Sequence, residues 1–115
     1  MPDWSIKITP VSPSNPTGPA QFDPATQQCL GSDNISWNNQ TGSTHQPWPL
    51  GADGKTPAAT GWGVDPVPAG ESSNPAYSVD TPTANTTVKY CCKIHPDVPS
   101  EVGTLDVLLA PPTFS

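Results

Sequence analysis

Apolar and polar residues alternate in short bursts along this chain, and the bursts never lengthen into a helical stripe. Trp4, Ile6 and Ile8 alternate with polar residues in WSIKIT, which predicts a first strand. In TQQCLGSDNISWNN, two short strands flank a Gly-Ser-Asp-Asn turn, with Ile35 and Trp37 on one face. AYSVD predicts another short strand. In TTVKYCC, Val88, Tyr90 and Cys92 share a face, and GTLDVLL closes the pattern with Leu105 and Val107. No window repeats apolar residues at i, i+3, i+4 and i+7 over three turns. Between these segments, PVSPSNPTGPAQFDPAT reads as proline-rich connection with Phe22 as its core anchor, and PVPAGESS as a turn. Roughly seven short strands at this spacing predict an all-β, two-sheet Greek-key sandwich with long Pro/Gly-rich loops. The longest loop runs from Gln40 to Gly63, and an insert of that length in a compact domain is usually functional.

Length and composition sharpen this. The 115 residues suffice for one domain, 1–115. Seventeen prolines and nine glycines rule out a long helix. Although 33% of the residues are hydrophobic, the four Trp, two Tyr and two Phe lie in the apolar runs and argue for a packed core. The net charge is −6 and all four cations are lysine, which excludes nucleic-acid binding, since phosphate contacts need clustered cations. The same acidity would steer the chain toward a basic partner face. No apolar run is long enough to span a membrane, and Met1 to Trp4 shows no charged, hydrophobic leader pattern.

The chemistry concentrates in YCCKIHP. A strand ending at Cys92 and turning at Pro96 can swing His95 back toward the same point in space. A C-x-x-H pair is weak alone. A strand cysteine is usually a small buried hydrophobe, and a loop histidine usually faces solvent. The chain's other histidine, His45, lies in the long polar loop after an apolar strand. Two imidazoles and one thiolate make the trigonal donor set of an electron-transfer copper site. Cys91 points away from Cys92 across the strand, so the two do not share one ion. A zinc knuckle would need a second Cys or His pair, which the sequence lacks. Three cysteines leave an odd one; Cys29 and Cys91 are either a disulfide or two separate thiols.

Three blocks in order now carry a resemblance. Ile35-Ser36-Trp37-Asn38-Asn39 followed by His45, then Pro68-Ala69-Gly70-Glu71-Ser72, then Tyr90-Cys91-Cys92-Lys93-Ile94-His95-Pro96 with Gly103-Thr104-Leu105-Asp106-Val107, resemble the cupredoxins of the plastocyanin/amicyanin type. The resemblance covers Phe22 to Leu108. It implies one copper ion held by His45, Cys92 and His95, and an Asn39 side chain that ties the ligand loops together. It also implies a one-electron carrier rather than an enzyme, acting as a monomer in the periplasm, secreted or at the cell surface. The redox partner would dock near His95, with Trp48, Pro47, Pro49, Leu50 and Pro96 as candidates for an apolar surround.

One family element is missing. The axial methionine of the short-loop form falls here on Val98, that of the longer-loop form on Glu101, and the only methionine is Met1. The alternatives are a trigonal site capped by a non-coordinating Val98, a backbone carbonyl as fourth donor, or Glu101 as an oxygen ligand. An empty axial position should raise the reduction potential; a carboxylate should favour Cu(II) and lower it. Loop glutamates are ordinarily solvated, which ranks the trigonal site first. The rival functions are a copper-handling module without fast electron transfer and a structural sandwich domain whose site has decayed.

Overall fold

The computed structural model describes residues 3–51, 53–59, 63–73, 76–95 and 98–109. Eight strands form: β1 (Asp3–Pro10), β2 (Ala20–Asp23), β3 (Thr26–Leu30), β4 (Asn34–Asn39), β5 (Pro47–Pro49), β6 (Tyr77–Ser78), β7 (Thr86–Cys92) and β8 (Val102–Leu108). They make two four-stranded sheets, ordered β2-β1-β4-β6 and β3-β8-β7-β5. Both sheets are mixed: β1 runs parallel to β4 and β3 parallel to β8, while the other pairs are antiparallel. No helix occurs among the described residues.

The expected two-sheet sandwich is present, with two differences in its strands. Phe22 reaches the core as expected, but inside β2, not in irregular connection. The long loop is not strandless: Pro47–Pro49 pairs with Tyr90–Cys92, and Trp48 faces Cys91 directly. Proline cannot donate a ladder hydrogen bond, so the PWP segment shows no strand signature in sequence, yet it fits at the edge of a sheet.

The core follows from period two. Ile6 and Ile8 of β1, Ile35 and Trp37 of β4, Tyr90 of β7, and Leu105 and Val107 of β8 point inward and are buried together. Tyr90 is the centre of an aromatic cluster, edge-on to Phe22 at 4.8 Å and to Trp37 at 5.4 Å between ring centroids. The Trp37 indole N–H donates to the Tyr90 hydroxyl at 3.3 Å, so the buried polar atoms satisfy each other. Gly103 lies opposite Tyr90, and a Cβ there would come within 2.4 Å of the ring. Glycine at 103 is what lets the tyrosine lie across β8.

The sheets also settle the thiols. Cys29, Cys91 and Cys92 are all free. Strand β8 separates β3 from β7, which spaces Cys29 and Cys91 by about two strand intervals, beyond disulfide reach. Burial pushes both thiols up to about 11, with Asp33 and Asp106 adding to the effect at Cys29 and Cys92 at Cys91.

Candidate metal centre

Each inward stripe continues one step past the apolar residues of its strand, and there it delivers a polar side chain. On β4, Ile35 and Trp37 are followed by buried Asn39. On β7, Val88 and Tyr90 lead to Cys92. Before β8, Glu101 is in phase with Gly103, Leu105 and Val107; before β5, His45 is in phase with Pro47 and Pro49. All these polar groups emerge at one end of the sandwich.

The segment from Cys92 to Glu101 is wound by its backbone. His95 N–H donates to the Cys92 carbonyl at 3.1 Å, Val98 N–H to His95 at 3.2 Å, and Glu101 N–H to Val98 at 3.1 Å. Cys92 N–H closes the loop onto the Glu101 carbonyl at 3.2 Å, extending the β7–β8 ladder by one rung. Three i→i−3 turns therefore stack Cys92, His95 and Glu101 side by side. Val98 holds this ladder through its main chain. His45 is fixed by reciprocal backbone bonds with Val67 at 3.2 and 2.7 Å.

The four side chains His45, Cys92, His95 and Glu101 converge, with their donor atoms within 4.8 Å of one another. Cys92 Sγ lies 3.7 Å from His45 Nδ1 and 3.5 Å from His95 Nδ1. A first-row ion bound at about 2.3 Å to sulfur and about 2.0 Å to nitrogen, with angles of about 110–120°, separates such donors by about 3.5–3.7 Å. The sulfur–nitrogen spacing thus fits an ion directly. Glu101 Oε1 is 3.1 Å from both Nδ1 atoms. The His45 and His95 rings meet edge-on, 5.2 Å between centroids.

Glu101 corrects the expectation of a solvated loop charge. It is only 2% exposed, because its place in the β8 stripe turns it inward. Its second oxygen, Oε2, accepts the Ala20 N–H at 3.3 Å, and the Ser100 hydroxyl donates to the Ala20 carbonyl at 2.7 Å. Burial alone would raise the Glu101 pKa, but hydrogen bonds from His45 and Ala20 and the nearby imidazoles hold it below the usual carboxylate range. Burial works against a charged His45, yet hydrogen bonds to Cys92 and Glu101 push its pKa up to about 9.

The surroundings are ordered by hydrogen bonds that sequence reading mostly missed. Asn39 was expected to tie loops, and it does: Nδ2 donates to the Ser43 carbonyl at 2.7 Å and the Val67 carbonyl at 2.9 Å. Its Oδ1 accepts from the Thr41 amide at 3.0 Å and the Thr41 hydroxyl at 2.6 Å. Thr41, Ser43, Gln46, Ala20 and Ser100 were not anticipated. The Gln46 amide donates to Cys92 Sγ at 3.3 Å, and Ser43 Oγ sits 3.4 Å from His45 Nε2. No sequence motif marks a backbone donor such as Ala20 or Gln46.

The expected apolar surround of His95 is only partly present. Pro47 and Pro49 are buried in β5 and offer no surface. Trp48 and Leu50 are partly buried; the indole N–H of Trp48 donates to the Ala58 carbonyl at 2.8 Å. Pro96 lies outside the described residues. His95 keeps 34% of its side chain exposed, while His45 is enclosed. Exposed Ile94 adjoins it in sequence.

An eight-stranded sandwich with two imidazoles, a thiol and a carboxyl gathered at one end defines the class of fold, and comparison with solved structures places it. The chain has the cupredoxin fold. It superposes on a purple cupredoxin from Nitrosopumilus maritimus with a TM-score of 0.66 at 20% identity, covering 91% of this chain and 99% of that one. Oxidised plastocyanin from Dryopteris crassirhizoma gives a TM-score of 0.62 at 16% identity, covering 90% and 98%. A reduced Cu(I) amicyanin variant gives 0.59 at 12%, covering 91% and 81%. No protein-family model matches the chain, and none of the curated proteins matches its sequence.

Proposed function

We propose that this protein is a one-electron carrier that holds a single copper ion through His45 Nδ1, His95 Nδ1 and Cys92 Sγ, with Glu101 Oε1 as a fourth, oxygen donor. The observation that carries the reading is the convergence of these four atoms at spacings that suit one ion. Copper bound there would supply a one-electron Cu(II)/Cu(I) couple. The cupredoxin fold, shared with plastocyanin and amicyanin, supports that role.

The protein's own part is to hold the donors still. Asn39 clamps the His45 loop to the Val67 carbonyl, and the 92–95–98–101 ladder fixes the other three donors on one backbone. Rigid donors suit an ion that must change charge with little movement. The Gln46 amide aimed at Cys92 Sγ would draw electron density from the sulfur and tune the couple. A thiolate and a carboxylate together balance a divalent ion, which stabilises Cu(II) over Cu(I). The partly exposed His95 edge would be the port for a redox partner, and the protein would work as an extracytoplasmic monomer without catalytic activity of its own.

Glu101 also supports a second reading, a copper-handling module that binds Cu(II) but exchanges electrons slowly. Copper titration separates these. The carrier develops an intense visible thiolate-to-copper band and a matching EPR signal, both lost in Cys92→Ser, and shows reversible voltammetry. A module that binds without reversible voltammetry is the second reading. A wild type that stays colourless under Cu(II), with thiol oxidation excluded, contradicts both.

A further inference from the structure

Glu101 has a buried counterpart at the far end of the sandwich. Asp33 is 1% exposed and lies in the turn between β3 and β4. Leu108 of β8 belongs to the same end: it follows Glu101 by seven residues, about 23 Å along an extended strand. There a cavity of about 370 Å³ opens between β1 and β3, the edge strand of its sheet. That volume falls within the range of small-molecule sites, about 300–1,000 Å³. Trp4, Leu30 and Leu108 supply apolar wall, with Cys29 and Asp33 beside them. Trp4 is 37% exposed, so its indole is open to a ligand.

Asp33 uses only one of its oxygens to hold the fold. Oδ2 accepts the Trp4 indole N–H and the Leu30 amide, each at 2.9 Å, which fixes the indole beside the carboxylate. Oδ1 accepts no hydrogen bond from any described residue. A buried carboxylate oxygen without a donor is unfavourable, and a ligand that brings a donor relieves it. The charge around the cavity is of one sign. No lysine borders it. Asp106 of β8 stands in register with Gln28, and burial, then Asp33, then Asp106 push the Cys29 thiol up to about 11. A metal ion does not suit this lining, which offers one carboxylate and a thiol that keeps its proton; the grouping of metal donors among the described residues is the one at the other end.

We propose that this cavity binds a small organic cation, a primary ammonium carried on an apolar body. The ammonium donates to Asp33 Oδ1 and lies against the Trp4 ring, whose electron-rich face attracts a cation. The body rests on Leu30 and Leu108, where burial of its apolar surface adds to the binding. A neutral ligand of the same shape keeps the second interaction and loses the first. An anion of that shape meets Asp33 as a like charge. The site shares no residue with the candidate metal centre and does not rest on the copper reading.

The test is NMR titration of the full chain with three probes of similar shape: 2-phenylethylammonium, 2-phenylethanol and 3-phenylpropionate. The ammonium should give saturable shifts at the Trp4 indole N–H and at the amides of Cys29, Leu30, Asp33 and Leu108. It should bind about tenfold or more tighter than the alcohol, and the carboxylate weakest of the three. Asp33→Asn keeps an oxygen for the Trp4 and Leu30 donors, and should bring the ammonium to within about twofold of the alcohol. Gln28→Lys, an exposed change that leaves Asp33 in place, should weaken the ammonium more than the alcohol and keeps the proposal testable if Asp33→Asn fails to fold. An unchanged copper titration in Gln28→Lys separates this result from the proposed function. Absence of saturable shifts, shifts centred outside the cavity, equal binding of ammonium and alcohol, or an ammonium preference that survives Asp33→Asn overturns the proposal.

Discussion

Among the described residues two carboxylates are buried, at opposite ends of their chemistry. Asp33 is 1% exposed and Glu101 is 2% exposed. Asp33 Oδ2 accepts the Trp4 indole N–H and the Leu30 amide, each at 2.9 Å. Both donors are neutral and committed, so Asp33 staples the turn after β3 to the first strand. Glu101 commits Oε2 to Ala20 and presents Oε1 to two imidazoles, in a cluster with the Cys92 thiol, whose protons a metal ion can displace. Burial alone is no functional signal; what separates the two is whether the partners are fixed donors or exchangeable ones.

Substitutions sharpen the contrast. The largest effect is expected at Asn39, which serves both fold and site. Asn39→Ala removes four hydrogen bonds among buried groups and should cost about 3 kcal/mol in denaturant melts, with weakened copper uptake in parallel. Asp33→Ala should come next, costing about 2 kcal/mol by leaving the Trp4 and Leu30 donors unpaired, with the copper titration unaltered. Glu101→Gln should do the opposite: copper(II) affinity falls about 10–100-fold and the reduction potential rises, read by competition titration and voltammetry. If Asp33→Ala disturbed copper binding more than Glu101→Gln, the contrast would be lost.

The smallest effect is on pH dependence, measured on the metal-free protein. His45 is raised from its ordinary 6.5 to about 9, so its contribution to stability is complete below about 6.5 and disappears as pH rises through about 9. Glu101 is lowered from its ordinary 4.5, so its contribution is present above about 4.5 and disappears as pH falls through its folded value. Denaturation midpoints should therefore be highest between about pH 4.5 and 6.5. Copper must displace the proton on His45, so its uptake should weaken as pH falls below about 9. Midpoints that keep rising above pH 9 would contradict the His45–Glu101 pairing.

Much of this was legible in the sequence because period two is a local property. The strands around Ile6, Trp37, Tyr90 and Leu105 follow from alternation alone, and the blocks around His45 and Cys92 carried three of the four side chains that converge in the candidate site. Glu101 was readable too: counting back from Val107 through Leu105 and Gly103 turns it inward. It was set aside as solvated because loop charge is ordinarily exposed, a tendency that tertiary packing overrode. The PWP strand was hidden by proline, and β2 by its short length. The Ala20 amide behind Glu101 was beyond reach, since a backbone N–H carries no residue label and 81 positions separate the partners.

The central claim is that one ion is gathered by the side chains at 45, 92, 95 and 101. Its most direct test is a crystal structure of the copper-loaded protein with anomalous difference density recorded at the copper edge. The account predicts one strong peak within about 2.0–2.3 Å of His45 Nδ1, His95 Nδ1 and Cys92 Sγ, with Glu101 Oε1 completing the set. A peak bound elsewhere, or a peak from which the Cys92 sulfur is turned away, would contradict it.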